Sequence, residues 1–439
     1  MKSFFQLSKL FCTFIIFLKS VNTCHDLHTN FFQHFSSKTP YRYIANYNTS
    51  SIEYEGCKPW KIWLVQRHGT RTPGNELDKF VRDRLPKIQE DILNNLSKGT
   101  ILGELCSFEG IKLWTSHKEL DSQKRLTSEG QDELFEFAER LQLRLPTLLD
   151  QPYQNTNFLF RYTDTQRTDE SAKQFATGLF GRIEVKKVVF TKPLDKDPLL
   201  RFYKVCQKWR QNVKKSPSAI LEYTKFTLSD IVNTTLSDLS KRLGLNYTLS
   251  FKEAKNIYSY CAFETAWEKI KVSPWCSIFS ELDFKVFEYS EDLKHYLIDG
   301  DKYELTYKQA CVLLKNVVEH FDDDKLDSHN GIFYFTHSGT VLKMLGVLGL
   351  YKDNDNLRHD NFWEMENRQW RTSKIDAFGS NLIFVLFKCY NDMKILTLHQ
   401  EKIIRIPGCE SDLCSYDTFK KIYQEKLNNC DFNKMCNIE

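Results

Sequence analysis

The chain has 439 residues, and 61 Lys and Arg against 57 Asp and Glu give it a formal net charge of +4. That balance excludes a general nucleic-acid binder, and the length exceeds one ordinary hydrophobic core, which predicts two lobes.

At the start of the chain, Lys2 and Lys9 are the only charges ahead of an apolar run over residues 10–18, and Ser20, Val21, Asn22 and Thr23 follow. This is the layout of a secretory signal peptide ending at residue 23. The alternative, a membrane anchor, needs enough apolar length to cross about 30 Å of hydrocarbon, which this run lacks. No later stretch reaches eighteen apolar residues, so no transmembrane segment is expected. Without residues 1–23, 416 residues remain with a net charge of +1.

Cysteine usage points to the same compartment. Cys12 lies in the leader, which leaves twelve cysteines, an even number that implies disulfides in an exported chain. Cys409/Cys414 and Cys430/Cys436 are close enough for local loops, and Cys261/Cys276 is a further candidate. A zinc site is the rival use, but no CxxC pair or His doublet supports it. Asn48, Asn95, Asn233 and Asn246 begin glycosylation sequons. The C-terminal Cys-Asn-Ile-Glu is no KDEL-type signal. The expectation is a secreted glycoprotein, with the endoplasmic-reticulum lumen as the alternative.

Four short stretches, 62–66, 157–162, 331–336 and 380–387, are apolar, β-branched or aromatic and end in turn-prone residues. They predict strands. The first three run straight into polar clusters containing Arg or His, as expected of an α/β sheet with its chemistry at the carboxyl ends of the strands. Residues 165–180 predict a helix with Ala172, Phe175, Ala176 and Leu179 on one face. Residues 77–149 and 199–320 show helical periodicity. Pro193 and Pro198 bracket a loop suited to a crossing between lobes. The expected division is an α/β lobe in three parts (24–76, 151–198 and 321–439, the last with a disulfide-rich tail), a helical insert (77–150) and a helical lobe (199–320).

Residues 182–215 hold eleven Lys or Arg against three Asp or Glu. This is either a solvated helical face or a cationic rim for a multiply anionic substrate.

The strongest chemical signal is Arg67-His68-Gly69-Thr70-Arg71-Thr72-Pro73, just after the first strand. A phosphoryl group needs several donors aimed at its oxygens, and two arginines flanking an imidazole supply them around a nucleophile. Gly69 permits close approach of the backbone. Pro73 suits the first turn of a following helix, whose N-terminus favours anions. The competing reading is a basic surface loop. A second segment runs from Arg161 to Ala172 and places Arg167 near a helix start; a third, Phe335-Thr336-His337-Ser338-Gly339-Thr340, ends the third strand.

These segments resemble the histidine acid phosphatase branch of the histidine phosphatase superfamily, whose signature is RHGxRxP. The resemblance implies a phosphoglycerate-mutase-like α/β sheet flanked by helices, with an inserted helical lobe. It implies a phosphohistidine formed on His68, with Arg67, Arg71 and Arg167 gripping the phosphate and His337 as a second catalytic histidine. It implies no metal or cofactor, since the arginines balance the charge.

One departure stands out. The family follows the second histidine with Asp, or with Ala-Glu, to protonate the leaving group, and here Ser338-Gly339 stand there. Asp164, Glu76 or a neighbouring substrate phosphate are the open substitutes.

Further stretches are similar to the multiple inositol polyphosphate phosphatase family. They are Leu199-Leu200-Arg201-Phe202-Tyr203, Ser273-Pro274-Trp275-Cys276, Phe378-Gly379-Ser380-Asn381-Leu382 and Ile406-Pro407-Gly408-Cys409. This implies removal of phosphates from inositol hexakisphosphate and lower inositol polyphosphates, and also from 2,3-bisphosphoglycerate. A broad acid phosphatase, or a phosphate-binding protein weakened by the missing carboxylate, are the alternatives.

Overall fold

The computed structural model describes residues 31–99, 108–116, 123–325, 328–390 and 392–437. The expected signal peptide, Cys24 and Cys106 lie outside the described residues.

Eight strands form one sheet: β1 (Cys57–Arg67), β2 (Phe158–Tyr162), β3 (Phe190–Thr191), β4 (Gly331–Thr336), β5 (Asn381–Cys389), β6 (Asp392–His399), β7 (Lys402–Ile404) and β8 (Leu413–Ser415). Their order is β3-β2-β4-β1-β5-β6-β7, with β8 also paired to β6. β1, β2, β3 and β4 run parallel, and β5 turns antiparallel against β1. β4 has the predicted bounds. β1 begins five residues earlier than its apolar core suggests, because its first half alternates between exposed and half-buried residues. β6 was not foreseen.

The strand period of two divides the core. Ile62 and Leu64 face one side with Phe333 and Phe335; there they meet Leu134 and Phe137 of α2 (Ser128–Arg144) and Ala172, Phe175 and Ala176 of α3 (Gln166–Glu184). α2 thus covers the sheet, while α1 (Asn75–Asp83), from the same predicted helical stretch, packs with the second core. That core begins at Trp63, Val65 and Phe384 and continues through α4 (Phe251–Trp267), α5 (Glu281–Asp299), α6 (Cys311–Asp322), α7 (Ser338–Leu348) and α8 (Tyr416–Asn428). Capping boxes at Ser250/Glu253 and Ser280/Asp283 start α4 and α5. Among the described residues no helix is long and apolar enough to cross a membrane.

Among the described residues five disulfides cross-link the chain: Cys57–Cys389, Cys206–Cys436, Cys261–Cys276, Cys311–Cys430 and Cys409–Cys414. Two of the three expected pairs are present. Cys430 and Cys436 do not pair with each other. The short helix Phe432–Cys436 carries Cys436 to Cys206, while Cys430, just before it, meets Cys311 at the start of α6. Tertiary approach of the tail, rather than sequence proximity, selects these partners.

Candidate active site

Arg67 and Thr336 are register partners at the ends of β1 and β4. His68 and His337 therefore leave the sheet side by side, and the His68 amide donates to Thr336 O at 3.0 Å. β2 ends next door, where Thr163 N donates to Phe335 O at 3.1 Å. Because β5 is antiparallel, its beginning rather than its end lies on this edge. Arg67 N donates to Ser380 O at 2.8 Å and Gly379 N to His68 O at 3.1 Å. Residues 376–380 thereby join the site.

The loop after β1 is fastened to α2 and α3. Glu133 accepts from Thr70 N at 2.7 Å and from Thr70 Oγ1 at 2.8 Å, and Ser171 Oγ accepts from Gly69 N at 3.2 Å. Burial pushes Glu133 up to about 7, against the pull of these hydrogen bonds. A Cβ on Gly69 would lie 2.4 Å from Gly130 O, so the glycine is demanded by the packing of this loop on the first turn of α2. Pro73 is not in the first turn of a helix: α1 begins at Asn75, with Gly74 as its extended N-cap.

His68 is 4% exposed, and its Nδ1 lies 2.8 Å from Gly69 O. A carbonyl only accepts, so Nδ1 carries the proton and Nε2 keeps its lone pair. Burial, then Arg167, Arg67 and Arg71, push the His68 pKa well down, which keeps the ring neutral. The His337 ring is centred 5.6 Å away. It bonds Thr163 Oγ1 at 3.0 Å through Nε2 and accepts from Arg167 Nη2 at 3.3 Å through Nδ1. Burial, then Arg167 and Arg201, lower its pKa as well.

The arginines are held by carbonyls and ring faces. Arg67 Nη1 donates to Ser37 O at 2.8 Å and to Asp376 O, with its guanidinium 4.7 Å from the Phe378 ring centre. Arg71 donates to Thr72 O at 2.8 Å and lies over Phe263 at 5.3 Å. Burial, then neighbouring cations, push Arg71 down to about 9 and Arg167 to about 10. The buried Nε atoms of Arg67, Arg167 and Arg201 have no acceptor among the described residues. All five residues marked from sequence, Arg67, His68, Arg71, Arg167 and His337, thus stand together.

Arg201 was not among them. Thr336 Oγ1 and Thr340 Oγ1 both donate to Leu200 O, at 2.7 and 2.8 Å, which fixes the 199–203 segment against the end of β4 and sets Arg201 beside Arg167 and His337. Lys204, pushed down to about 8 by burial, then by Lys214, Arg201, Arg210 and Lys124, extends the cationic surface. Its place in the basic 182–215 stretch was the available signal. Among the described residues no cluster of three or more His, Cys, Asp or Glu is arranged to hold a metal ion.

A neutral imidazole among several guanidinium groups, at the carboxyl edge of parallel strands, is an arrangement suited to phosphoryl transfer. The family model described as "Histidine phosphatase superfamily (branch 2)" matches residues 61–406, and the chain belongs to that family of phosphoric monoester hydrolases. It is 34% identical over 409 residues to "Multiple inositol polyphosphate phosphatase 1" of Drosophila melanogaster, covering 89% of this chain and 84% of the relative. The Homo sapiens protein of that name is 26% identical over 408 residues, covering 87% and 82%. Among solved structures, the phytase from D. castellii superposes with a TM-score of 0.75 at 20% identity over 93% of this chain and 88% of its own. The Bifidobacterium longum multiple inositol polyphosphate phosphatase in complex with inositol hexasulfate gives 0.65 at 15% identity, covering 86% and 94%.

Proposed function

We propose that this chain removes phosphates from inositol hexakisphosphate and lower inositol polyphosphates through a phosphohistidine on His68. In the first step the Nε2 lone pair attacks phosphorus and the ester bond breaks; in the second, water releases phosphate and restores the imidazole. Arg67, Arg71 and Arg167 hold the phosphoryl oxygens through both steps, and His337 joins them. A bound phosphate dianion raises the His337 pKa, so that the ring turns from acceptor into donor. The arginines supply the charge compensation that other phosphatases take from a metal ion.

The observation that carries the substrate class is the surplus of cations beyond the needs of one phosphate. Lys124 and Lys204 are depressed first by burial and then by cations close by, Arg71, Arg167 and Lys214 at Lys124, and Lys214, Arg201 and Arg210 at Lys204. A substrate with several phosphates relieves that repulsion at several points at once. The named relatives act on such substrates. 2,3-Bisphosphoglycerate, with two phosphates, fits the same logic less fully.

Phosphate release from inositol hexakisphosphate and from p-nitrophenyl phosphate, compared as kcat/KM at two salt concentrations, tests this. The proposal expects preference for the polyphosphate and a steeper loss of that preference with salt. Equal, salt-insensitive rates on both would indicate a broad acid phosphatase instead. Tight binding of inositol hexakisphosphate without turnover of either compound would indicate a binding protein.

The compartment belongs to the same proposal. Five disulfides suit an oxidising environment, and Asn48, Asn233 and Asn246 of the four sequons are exposed to modification. A secreted or lumenal glycoprotein is the reading they support.

A further inference from the structure

His68 and the arginines leave one chemical requirement open. An alkoxide departing from a phosphate monoester needs a proton, and a positioned acid is worth roughly 10²–10⁴-fold. Neither Ser338 nor Gly339 is a carboxylic acid, but the antiparallel turn of β5 brings one to Ser338 from elsewhere in the chain. Asp376 is fully buried, and its Oδ2 is hydrogen-bonded to Ser338 Oγ at 2.5 Å. Asp376 Oδ1 is also buried and has no partner among the described residues. Ser338 directly follows His337 and is only partly buried, so the buried carboxyl group is hydrogen-bonded to a hydroxyl one residue from the second histidine.

We propose that Ser338 and Asp376 form a proton relay that replaces the missing acid. Resting on the phosphohistidine reading above, the steps balance as follows. With the proton of the neutral acid on Asp376 Oδ2, the short hydrogen bond runs from the carboxyl group to Ser338 Oγ, and the hydroxyl hydrogen is free to face the leaving oxygen. As the bond from phosphorus to that oxygen breaks, Ser338 Oγ gives it this proton and takes the carboxyl proton of Asp376. In the second step the Asp376 carboxylate, again through Ser338, accepts a proton from the attacking water. The resulting oxygen–phosphorus bond displaces His68 Nε2, and the neutral carboxylic acid is restored. Ser338 touches the reacting oxygen; Asp376 acts behind it as the proton store.

The surroundings suit this role. Burial raises the Asp376 pKa, and Arg67, with Nη1 3.5 Å from Oδ2, opposes that rise as the next largest influence; His295 and Asp299 of α5 act from the other side in opposite senses. Asp299 is the nearby carboxylate that does not fit. Its Oδ1 is paired to Lys343 at 2.5 Å and its Oδ2 is hydrogen-bonded to His295 at 2.9 Å, and against the effect of burial these partners, Lys343 foremost, hold its pKa below the usual carboxylate range. Asp164 and Glu76 are exposed side chains.

The test uses the intact protein with Asp376→Asn, Ser338→Ala and Asp164→Asn. Inositol hexakisphosphate needs a proton on its leaving oxygen, whereas p-nitrophenolate leaves without one. Asp376→Asn should lower kcat on inositol hexakisphosphate by about 10²-fold, with KM nearly constant, and cost p-nitrophenyl phosphate no more than about threefold. It should also abolish the fall in the inositol hexakisphosphate rate at rising pH that marks a general acid. Ser338→Ala, a small change at a partly exposed position, should show the same substrate-selective loss and covers the case in which Asp376→Asn does not fold. Equal losses on both substrates would assign Asp376 a structural role through Arg67 and overturn the relay. So would an unchanged rate in both variants, or a selective loss on Asp164→Asn alone. If the wild type turns over neither substrate, the phosphatase reading itself falls, and the relay with it.

Discussion

Two buried charge clusters in this molecule are built on opposite principles. Around α5, Arg368 donates to Asp292 Oδ2 at 2.9 and 2.5 Å, Arg371 meets Glu288 at 3.0 Å, and Asp292 Oδ1 accepts from Thr372 N at 2.8 Å. Burial disfavours every charge here, yet His34, Arg368 and Arg371 hold Glu288 well below the usual carboxylate range and Arg368 lies above its ordinary value, while burial and the neighbouring Glu288 push Asp292 up against the pull of Arg368. At the catalytic edge, Arg71 and Arg167 are depressed, both histidines are kept neutral, and three guanidinium Nε atoms lack acceptors. The first cluster is complete without a ligand and serves the fold. The second, in which Asp376 approaches Arg67 at 3.5 Å, keeps a surplus of positive charge that a bound anion would relieve.

The largest effect that separates the two should come from His68→Ala. Turnover should fall by more than about 10²-fold, because a covalent nucleophile is lost, while the unfolding temperature holds. A purified variant keeping more than about a hundredth of the wild-type rate would contradict the assignment.

Next comes a matched pair. Arg368→Met removes the cation from buried Asp292, while Glu288 keeps Arg371, and should cost about 3–5 kcal/mol of stability, read by chemical denaturation, with activity per folded molecule retained. Arg167→Ala should do the reverse. It should raise KM for both substrates by tens-fold, about 1.5–2.5 kcal/mol of lost charge-assisted binding, without lowering stability. Loss of stability in both variants would erase the distinction.

A smaller effect concerns pH. His68 and His337 have folded-state pKa values below the ordinary value of about 6.5. Above that value both states are neutral and these groups contribute nothing. As pH falls below it, the unfolded chain takes up protons that the fold refuses, and stability declines by up to about 1.4 kcal/mol per pH unit for each histidine. Saturating inorganic phosphate should offset part of the decline, and the double variant His68→Asn, His337→Asn should make it shallower, the remainder coming from His320 and His399, which burial pushes down to about 3. Unfolding midpoints between pH 7 and 5, with and without phosphate, check this. The smallest expected effect is none: EDTA should leave the rate unchanged, and a loss restored by a divalent cation would refute charge compensation by arginine.

Much of the catalytic edge was legible in sequence because parallel strands put their chemistry at their ends. Arg67, His68 and His337 follow or close β1 and β4, and Arg167 opens α3 after β2. Asp376 was invisible to that logic, since β5 is antiparallel and contributes what precedes it. Arg201 was hidden differently: its position depends on Thr336 and Thr340 holding Leu200 O, contacts between segments some 140 residues apart. Local spacing found the Cys261–Cys276 and Cys409–Cys414 bridges but misjudged Cys430 and Cys436, whose partners are 119 and 230 residues away. Among the strands, 331–336 is buried throughout and its Ile-Phe-Tyr-Phe run made it clear, whereas lysines and a proline masked the first half of β1.

The central claim is the covalent step at His68, and rapid quenching tests it most directly. The enzyme is mixed with inositol hexakisphosphate, quenched in alkali to preserve phosphohistidine, digested, and the peptides are weighed. A phosphoryl group on the peptide containing His68, stable in alkali, lost in acid and absent from His68→Ala, is the predicted result. A phosphoryl group on any other residue, or continued turnover by His68→Ala, would contradict it.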